Sequence, residues 1–364
     1  MGALVEKYAC IGIQYNNLEG EISDAATKRN LKRMKDYWEW AYEQFSYAFP
    51  VKMIAYPEYA TNGYPAGSMA EALKASQKVG DSITQEVGSW CKEYDCFVSF
   101  GMGESIDQYP KSSFDTAVIM NDQAGVELIY RKTNPWLPDE YWPSPHDFKD
   151  TWDFEKNPLY PVAKSTIGNW GAYICNDGMT PENCRQLAFN GAECMYHPEL
   201  LMDPWIIPPL EYFELQTRWN SVVNLCYHVA VNSGWAPVEC PPYGMQGGSM
   251  QTDFEGRLLS ACPKAAVEAF AFTWFSIRDV REYRTTMPTH NGLNSFKGDN
   301  FDYFRRPVMY PSHPQIADDP EWDMYKSREV MKKAMSRFWV LIHSLIGNLK
   351  PGDIPADVRI ECID

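Results

Sequence analysis

No stretch of this chain approaches ~18 uninterrupted apolar residues, so a membrane-spanning helix is not expected. Glu6 and Lys7 interrupt the apolar start, which removes the hydrophobic region of a secretory signal, and there is no Asn-x-Ser/Thr sequon. A cytoplasmic location is the expectation. Basic residues are scarce: 33 Lys and Arg stand against 48 Asp and Glu, a net charge of −15. With no basic run or basic–aromatic patch to offset it, this charge repels phosphate backbones and anionic lipid heads, so neither nucleic acid nor a membrane surface is an expected partner. Cysteine is too sparse for a disulfide scaffold, at ten in 364 residues. Cys91 and Cys96 lie five apart with no second close pair and no nearby His, so a zinc site is not expected. Most of the cysteines read as small buried apolar side chains. Also missing are a Ser/Gly linker, a charge block between halves and a short tandem repeat.

What is present is the composition of a folded globular protein, 45% hydrophobic and 22% charged. Apolar runs and helical periodicities alternate along the chain. They predict a strand over 8–15, a helix from an Asp24 N-cap through Leu31, Met34, Trp38, Tyr42 and Phe45, a strand over 52–57, a helix over much of 69–94 and a strand over 96–101. A hairpin is predicted over 116–131 around Asp122-Gln123-Ala124-Gly125, then a long loop over 133–161. A second set follows: strands over 162–167 and 171–175, a helix over 181–190, a strand over 193–197, a helix over 208–226 and a strand over 227–232. Short strands are then expected near 247–251, 257–261 and 271–277, with a last helix over 324–345. Interleaving of this kind predicts one α/β domain with a C-terminal extension, and the order of elements occurs loosely twice.

Three segments carry chemistry. Tyr56-Pro57-Glu58-Tyr59 places a carboxylate at the end of an apolar strand, poised to enter a cleft. Arg131-Lys132 closes the hairpin, and Glu140 follows Lys132 by eight positions in a loop rich in Pro, Trp and Tyr. Tyr173-Ile174-Cys175-Asn176-Asp177-Gly178 runs from a strand through a turn to a helix with Thr180 and Pro181 at its start. A thiol at such a corner lies near free backbone N–H groups, and that location together with nearby positive charge favours thiolate.

In the order Glu, Lys, Glu, Cys these segments resemble the nitrilase superfamily, in particular its aliphatic amidase and formamidase branch. The likeness rests on Pro57-Glu58-Tyr59, on Arg131-Lys132 with Pro135-Trp136 and Glu140, on Cys175-x-Asp-Gly-x-x-Pro-Glu, on Gly191-Ala192-Glu193, on Gly247-Gly248-Ser249 with Phe254-Glu255-Gly256-Arg257, and on Asn291-Gly292-Leu293. The resemblance implies a four-layer α-β-β-α sandwich, with a catalytic domain over residues 1–290 and an extension over 291–364 packed on the domain or on a neighbouring subunit of a homo-oligomer. It implies that Cys175 is the nucleophile that forms a thioester, Glu58 the general acid and base, Lys132 the oxyanion stabiliser with the Asn176 N–H, and Glu140 the second glutamate that supports Lys132. The substrate is then a small-molecule amide, with no metal or organic cofactor. Tyr59, Trp136, Asn176, Glu199 and Trp205 are the candidate pocket residues. At one place the chain departs from the family: where that branch carries Gln-Gly-Tyr, this sequence reads Glu199-Leu200-Leu201, which implies a remodelled acyl pocket.

Overall fold

The structure is a computed structural model that describes residues 2–17, 23–64, 68–136, 140, 142–202, 206, 208–237 and 244–285. The chain divides into two compact units, Met1–Arg278 and Asp279–Asp364. The helix expected over 324–345 lies outside the described residues.

In the first unit a run of elements supplies five strands of a six-stranded sheet: β1 (Lys7–Gln14), α1 (Asp24–Phe45), β2 (Val51–Ala55), α2 (Met69–Ala75), α3 (Ser82–Tyr94), β3 (Phe97–Ser105), β4 (Ser113–Met120) and β5 (Val126–Arg131). A second sheet follows from β6 (Val162–Ser165), β7 (Gly168–Ala172), α4 (Pro181–Phe189), β8 (Cys194–Glu199), α5 (Tyr212–Asn224) and β9 (Tyr227–Asn232). A two-residue pair, β10 (Ala236–Pro237) and β11 (Gly244–Met245), precedes β12 (Met250–Thr252), β13 (Leu258–Ala261) and β14 (Ala269–Ser276), and α6 (Ile277–Thr285) crosses into the second unit. The sheets are ordered β14-β1-β2-β3-β4-β5 and β13-β12-β9-β8-β7-β6. In each, three central strands run parallel and the outer ones antiparallel, so the loosely doubled order of elements reappears as two sheets of like topology.

The alternation of side chains along β1 shows how the layers stack. Ala9, Ile11, Ile13 and Tyr15 join Leu31, Met34 and Trp38 of α1 and Ile83 and Val87 of α3 in one core cluster. The residues between them face the second sheet. The Tyr8 hydroxyl donates to the Ile167 carbonyl (2.7 Å), Gln251 of β12 donates to the Cys10 carbonyl (3.1 Å), and a Cβ on Gly12 would stand 3.2 Å from Val231. Strands buried on both faces need near-continuous apolar sequence, and β1, β2 and β3 have it. The result is the α-β-β-α sandwich.

Several boundaries differ from those read off the sequence. The N-cap of α1 is Ser23, whose hydroxyl accepts from the Ala26 N–H (3.2 Å), while Asp24 is the first helical residue. The segment over 69–94 forms two helices because Gln77 leaves the helical path and bridges to the end of β3: its N–H donates to Gly103 and its carbonyl accepts from Ser105. α5 starts at Tyr212 because Glu211 adopts a left-handed conformation (φ 43°). β7 stops at Ala172, so the thiol lies beyond the strand end, in a one-turn 3-10 helix over Cys175–Met179.

One glycine on the neighbouring strand sets where the first acid can sit. A Cβ at Gly101 would lie 2.6 Å from the Tyr59 nitrogen and 2.9 Å from the Glu58 Cα, both backbone atoms that cannot rotate away. Gly101→Ala should therefore destabilise the fold by about 1–3 kcal/mol and displace the Glu58 turn. Urea denaturation checks the first effect and reactivity of Cys175 the second; an alanine variant matching the parent in both would show that the turn is not positioned by this contact.

Candidate active site

The C-terminal ends of the central strands carry the chemistry, where open α/β sheets place their ligands. β2 delivers Tyr56-Pro57-Glu58, and Tyr59 then turns back with φ 51°, in the left-handed region. β5 delivers Lys132, whose N–H donates to the Asp115 carbonyl on β4 (2.9 Å) and so continues the ladder one residue past the strand. The loop beyond it returns Glu140.

Lys132 is 1% exposed, and its ammonium lies 2.8 Å from Glu58 Oε1 and 2.5 Å from Glu140 Oε1. A third carboxylate, Asp115, stands 3.4 Å away as an ion pair. Glu140 is anchored further, since its Oε2 accepts the Trp136 N–H. Carboxylate oxygens of Glu58, Asp115 and Glu140 lie within 4.8 Å of one another, a donor set that would also suit a hard cation, but the ammonium already stands among them.

One cation cannot keep three buried carboxylates ionised. Burial pushes Asp115 well above the usual carboxylate range, helped by the neighbouring Glu58 and opposed by Lys132. Glu140 is pushed up to about 7, again chiefly by burial, with Lys132 pulling the other way. Lys132 keeps its proton: burial works against its charge, but the acidic groups around it, Glu140 and Glu58 among them, outweigh burial. Among the described residues Glu58 Oε2 and both Asp115 oxygens have no hydrogen-bond donor when these acids are ionised, yet the two side chains are close enough to hydrogen-bond. A proton on Asp115 resolves both observations.

Cys175 sits on the other sheet at φ 46°, a left-handed conformation that costs a non-glycine residue energy and tends to persist where surroundings over-determine it. The determining group is Asp177, which is fully buried. One of its oxygens accepts from the Tyr130 hydroxyl (2.7 Å) and the Ile174 N–H (3.0 Å). The other accepts from the Thr133 hydroxyl (3.0 Å), the Asn134 N–H (2.8 Å) and the Asn183 amide (3.0 Å). The elbow that holds the thiol is thereby bolted to the residues on either side of Lys132. Contrary to the expected thiolate, burial pushes the Cys175 thiol well up, Glu58 adds to the shift, and Lys132 only partly offsets it.

The thiol opens on a cleft with an empty volume of about 540 Å³, mouth included, lined by Trp136, Asn176, Met179, Leu200, Leu201, Met202, Tyr212 and Gln216. Among the residues proposed as pocket walls, Trp136 and Asn176 therefore face it directly, and the Asn176 amide also donates to the Asn134 carbonyl (3.2 Å). Tyr59 instead packs with Trp142 and Leu200 in an aromatic cluster. Glu199 stands behind Gln216, which donates to it (2.9 Å). Trp205 lies outside the described residues. Asp115 escaped the sequence reading because the predicted strand began at Thr116 and a lone acid before it is ordinarily solvated, whereas β4 starts at Ser113 and is buried at every position.

A family model for carbon-nitrogen hydrolases matches residues 9–282. The chain belongs to the carbon-nitrogen hydrolase family. It is 30% identical over 181 residues to a formamidase of Nitratidesulfovibrio vulgaris (strain DP4), covering 50% of this chain and 49% of that one. It is also 30% identical over 188 residues to a formamidase of Helicobacter acinonychis (strain Sheeba), covering 50% of each. The chain thus aligns with about half the length of the curated relatives it matches. Saccharomyces cerevisiae Nit3, a member of branch 10 of the nitrilase superfamily, superposes with a TM-score of 0.63 at 18% identity, over 80% of this chain and 98% of that one. An amidase from Nesterenkonia sp. AN1 in complex with butyramide does so with a TM-score of 0.57 at 16% identity, over 76% and 93%. At these identities the two structures establish the fold, as expected from the nitrilase resemblance. Among the described residues no helix is long and apolar enough to cross a membrane.

The elevated acid has a consequence for stability. The folded state holds the Glu140 proton up to pH about 7, whereas an unfolded glutamate releases it near 4.5. Between those values the folded chain binds more protons than the unfolded one, so stability falls as pH rises through this window and levels off above it. Glu140→Gln should remove that part of the slope. Denaturation free energies at pH 5 and pH 7.5 measure it; parallel slopes in parent and variant would contradict the assignment.

Proposed function

We propose that this chain hydrolyses the carbon–nitrogen bond of a small linear amide, giving a carboxylic acid and ammonia or an amine through a thioester on Cys175. The observation that carries this reading is a fully buried ammonium held by Glu58 and Glu140 beside a thiol that opens on a cleft. The family and its formamidase relatives support it.

In this reading Glu58 takes the thiol proton as sulfur attacks the carbonyl carbon. The C–S bond forms and the carbonyl π pair moves to oxygen. Lys132 and the Asn176 N–H, in the first turn of a helix where amides lack in-helix partners, meet that oxyanion. As the tetrahedral carbon collapses, the C–N bond breaks and Glu58 passes its proton to the departing nitrogen. Water then attacks the thioester, Glu58 takes its proton, and the C–S pair leaves to be reprotonated as thiol. Glu140 holds Lys132 in place through both sulfur steps. The protonated resting thiol suits this scheme, since the base acts during attack rather than before it.

A homo-oligomer remains part of the proposal. Leu215 and Trp219, one helical turn apart on α5, are 59% and 54% exposed, which supports self-association through a helical face.

A panel of small amides, nitriles and N-carbamoyl compounds assayed for released ammonia tests the reaction. Amides are expected to react, and a chain active only on nitriles would overturn the reading. Cys175→Ala should abolish turnover, and Glu58→Gln should slow acylation by about 10²–10⁴-fold. Lys132→Met should lower the rate by about 10²–10³-fold and also destabilise the fold by about 3–5 kcal/mol, because it strips the carboxylates of their cation. Mass spectrometry of acid-quenched parent should find the acyl adduct on Cys175.

A further inference from the structure

The reaction proposed above gives work to Glu58, Lys132 and Glu140 and none to the third acid of the cage. Asp115 stands on β4 opposite Gly103 of β3, which has no side chain to offer it. The next residue, Thr116, points to the other face of the sheet, where it donates to Glu104, the partner of Arg131. Among the described residues, the charged and titratable groups around Asp115 on its own face are Glu58, Lys132, Glu140 and the buried Tyr59 and Tyr196. Burial pushes both tyrosine hydroxyls well up, so neither carries charge.

The distances divide the donors of the cage. A lysine ammonium has three N–H groups. Two go to Glu58 Oε1 at 2.8 Å and Glu140 Oε1 at 2.5 Å. Asp115 Oδ2, at 3.4 Å, lies beyond the ordinary length of a hydrogen bond, which leaves the third N–H for a substrate oxyanion. An ionised Asp115 would compete for that N–H. Glu58 has a different need. Lys132 fixes only one of its oxygens, and the terminal torsion of a glutamate is broad. Its Oε2 is buried with no donor among the described residues, and both Asp115 oxygens are in the same condition. One O–H between the two side chains would satisfy an oxygen of each. That proton belongs on Asp115: Glu58 has to be ionised to act as a base, while burial, with Glu58 adding to it, pushes Asp115 well up.

We infer that Asp115 is a positioning residue that works as a neutral carboxylic acid, donating its O–H to Glu58 Oε2 and so holding the base in one orientation with Oε1 on Lys132. This role rests on the amide-hydrolase reading. Asp115 touches no substrate and keeps its proton throughout; the proton that moves is the thiol's.

The variants Asp115→Asn and Asp115→Leu test it. The asparagine amide can give Glu58 Oε2 an N–H donor without ever ionising, and leucine has no donor to give. With a reactive amide, the asparagine variant should turn over about 10- to 100-fold faster than the leucine variant at similar KM, the worth of one hydrogen bond to a charged group. Equal kcat in the two variants overturns the inference, as it would if Asp115 served only as a counter-charge to Lys132 or only as packing. Infrared spectra of the unmutated chain, with heavy carbon at its aspartate carboxyls, give a readout that packing does not move. At pH 7 they should contain the band of a protonated aspartyl carboxyl, absent from Asp115→Asn. Spectra with ionised aspartates alone overturn the inference, and this holds even if the leucine variant fails to fold. An unmutated chain that hydrolyses no amide removes the amidase reading instead. The two variants are then compared by the rate at which iodoacetamide alkylates Cys175, where Glu58 takes the same thiol proton, and equal rates overturn the positioning role.

Discussion

The structure depends on one buried ammonium. Lys132 is enclosed by Glu58, Asp115 and Glu140, side chains drawn from the ends or middles of different strands and from a loop. An isolated charge at that depth would not survive, and isolated carboxylates would not either. Each group is tolerable only because the others are there, so the cage can exist only once β2, β3, β4 and β5 have paired in register. Its electrostatics also dictate a proton inventory. With one cation among three acids, full ionisation would leave a surplus of negative charge in a dry interior, and the molecule answers by keeping protons on Asp115 and, below about pH 7, on Glu140.

A second constraint joins the two sheets at this point. Asp177 never touches the cleft, yet it accepts hydrogen bonds from Tyr130, Thr133 and Asn134 around Lys132 and from Ile174 next to Cys175. Losing any one of these would leave a fully buried carboxylate oxygen short of a donor. The same carboxylate that makes the left-handed turn at Cys175 tolerable therefore sets the separation of thiol and ammonium. Gly178 completes the corner, for a Cβ there would come within 2.9 Å of His197 and Gln216. A second bond spans the sheets nearby, from the Tyr196 hydroxyl to the Tyr56 carbonyl at 2.6 Å, two residues before Glu58.

Much of this was legible in the amino-acid sequence, and what was not has a common cause. The strand over β9, the hairpin of β4 and β5 and the acids at strand ends follow from local pattern, because apolar runs and turn residues report on short-range physics. Glu58, Lys132 and Glu140 were identified through their resemblance to a family, and the structure brings those three into hydrogen-bond contact. The misses are all tertiary. Asp115 looks like an exposed polar residue until folding buries β4 at every position. The helix over 69–94 breaks because Gln77 pairs with β3, which no local propensity encodes. A thiol at a corner near a cation suggests thiolate, but the sign is decided by burial and by Glu58, which depend on what packs around the corner.

That last reversal bears on how such a site can work. A resting thiolate beside Lys132 would hold the ammonium in a tight ion pair, and the oxyanion would have to compete with sulfur for it. A protonated thiol leaves the ammonium bound only to carboxylates, the weakest of which can yield to a new oxyanion as charge leaves sulfur for the substrate oxygen. Negative charge then never accumulates in the cage. In the proposed reaction it would move from Glu58 through the reacting atoms to the oxygen facing Lys132, with Asp115 and Glu140 keeping the cation in position. Burial of the whole cluster, which makes every static charge expensive, is also what makes that transfer effective, because charges at that depth are screened little.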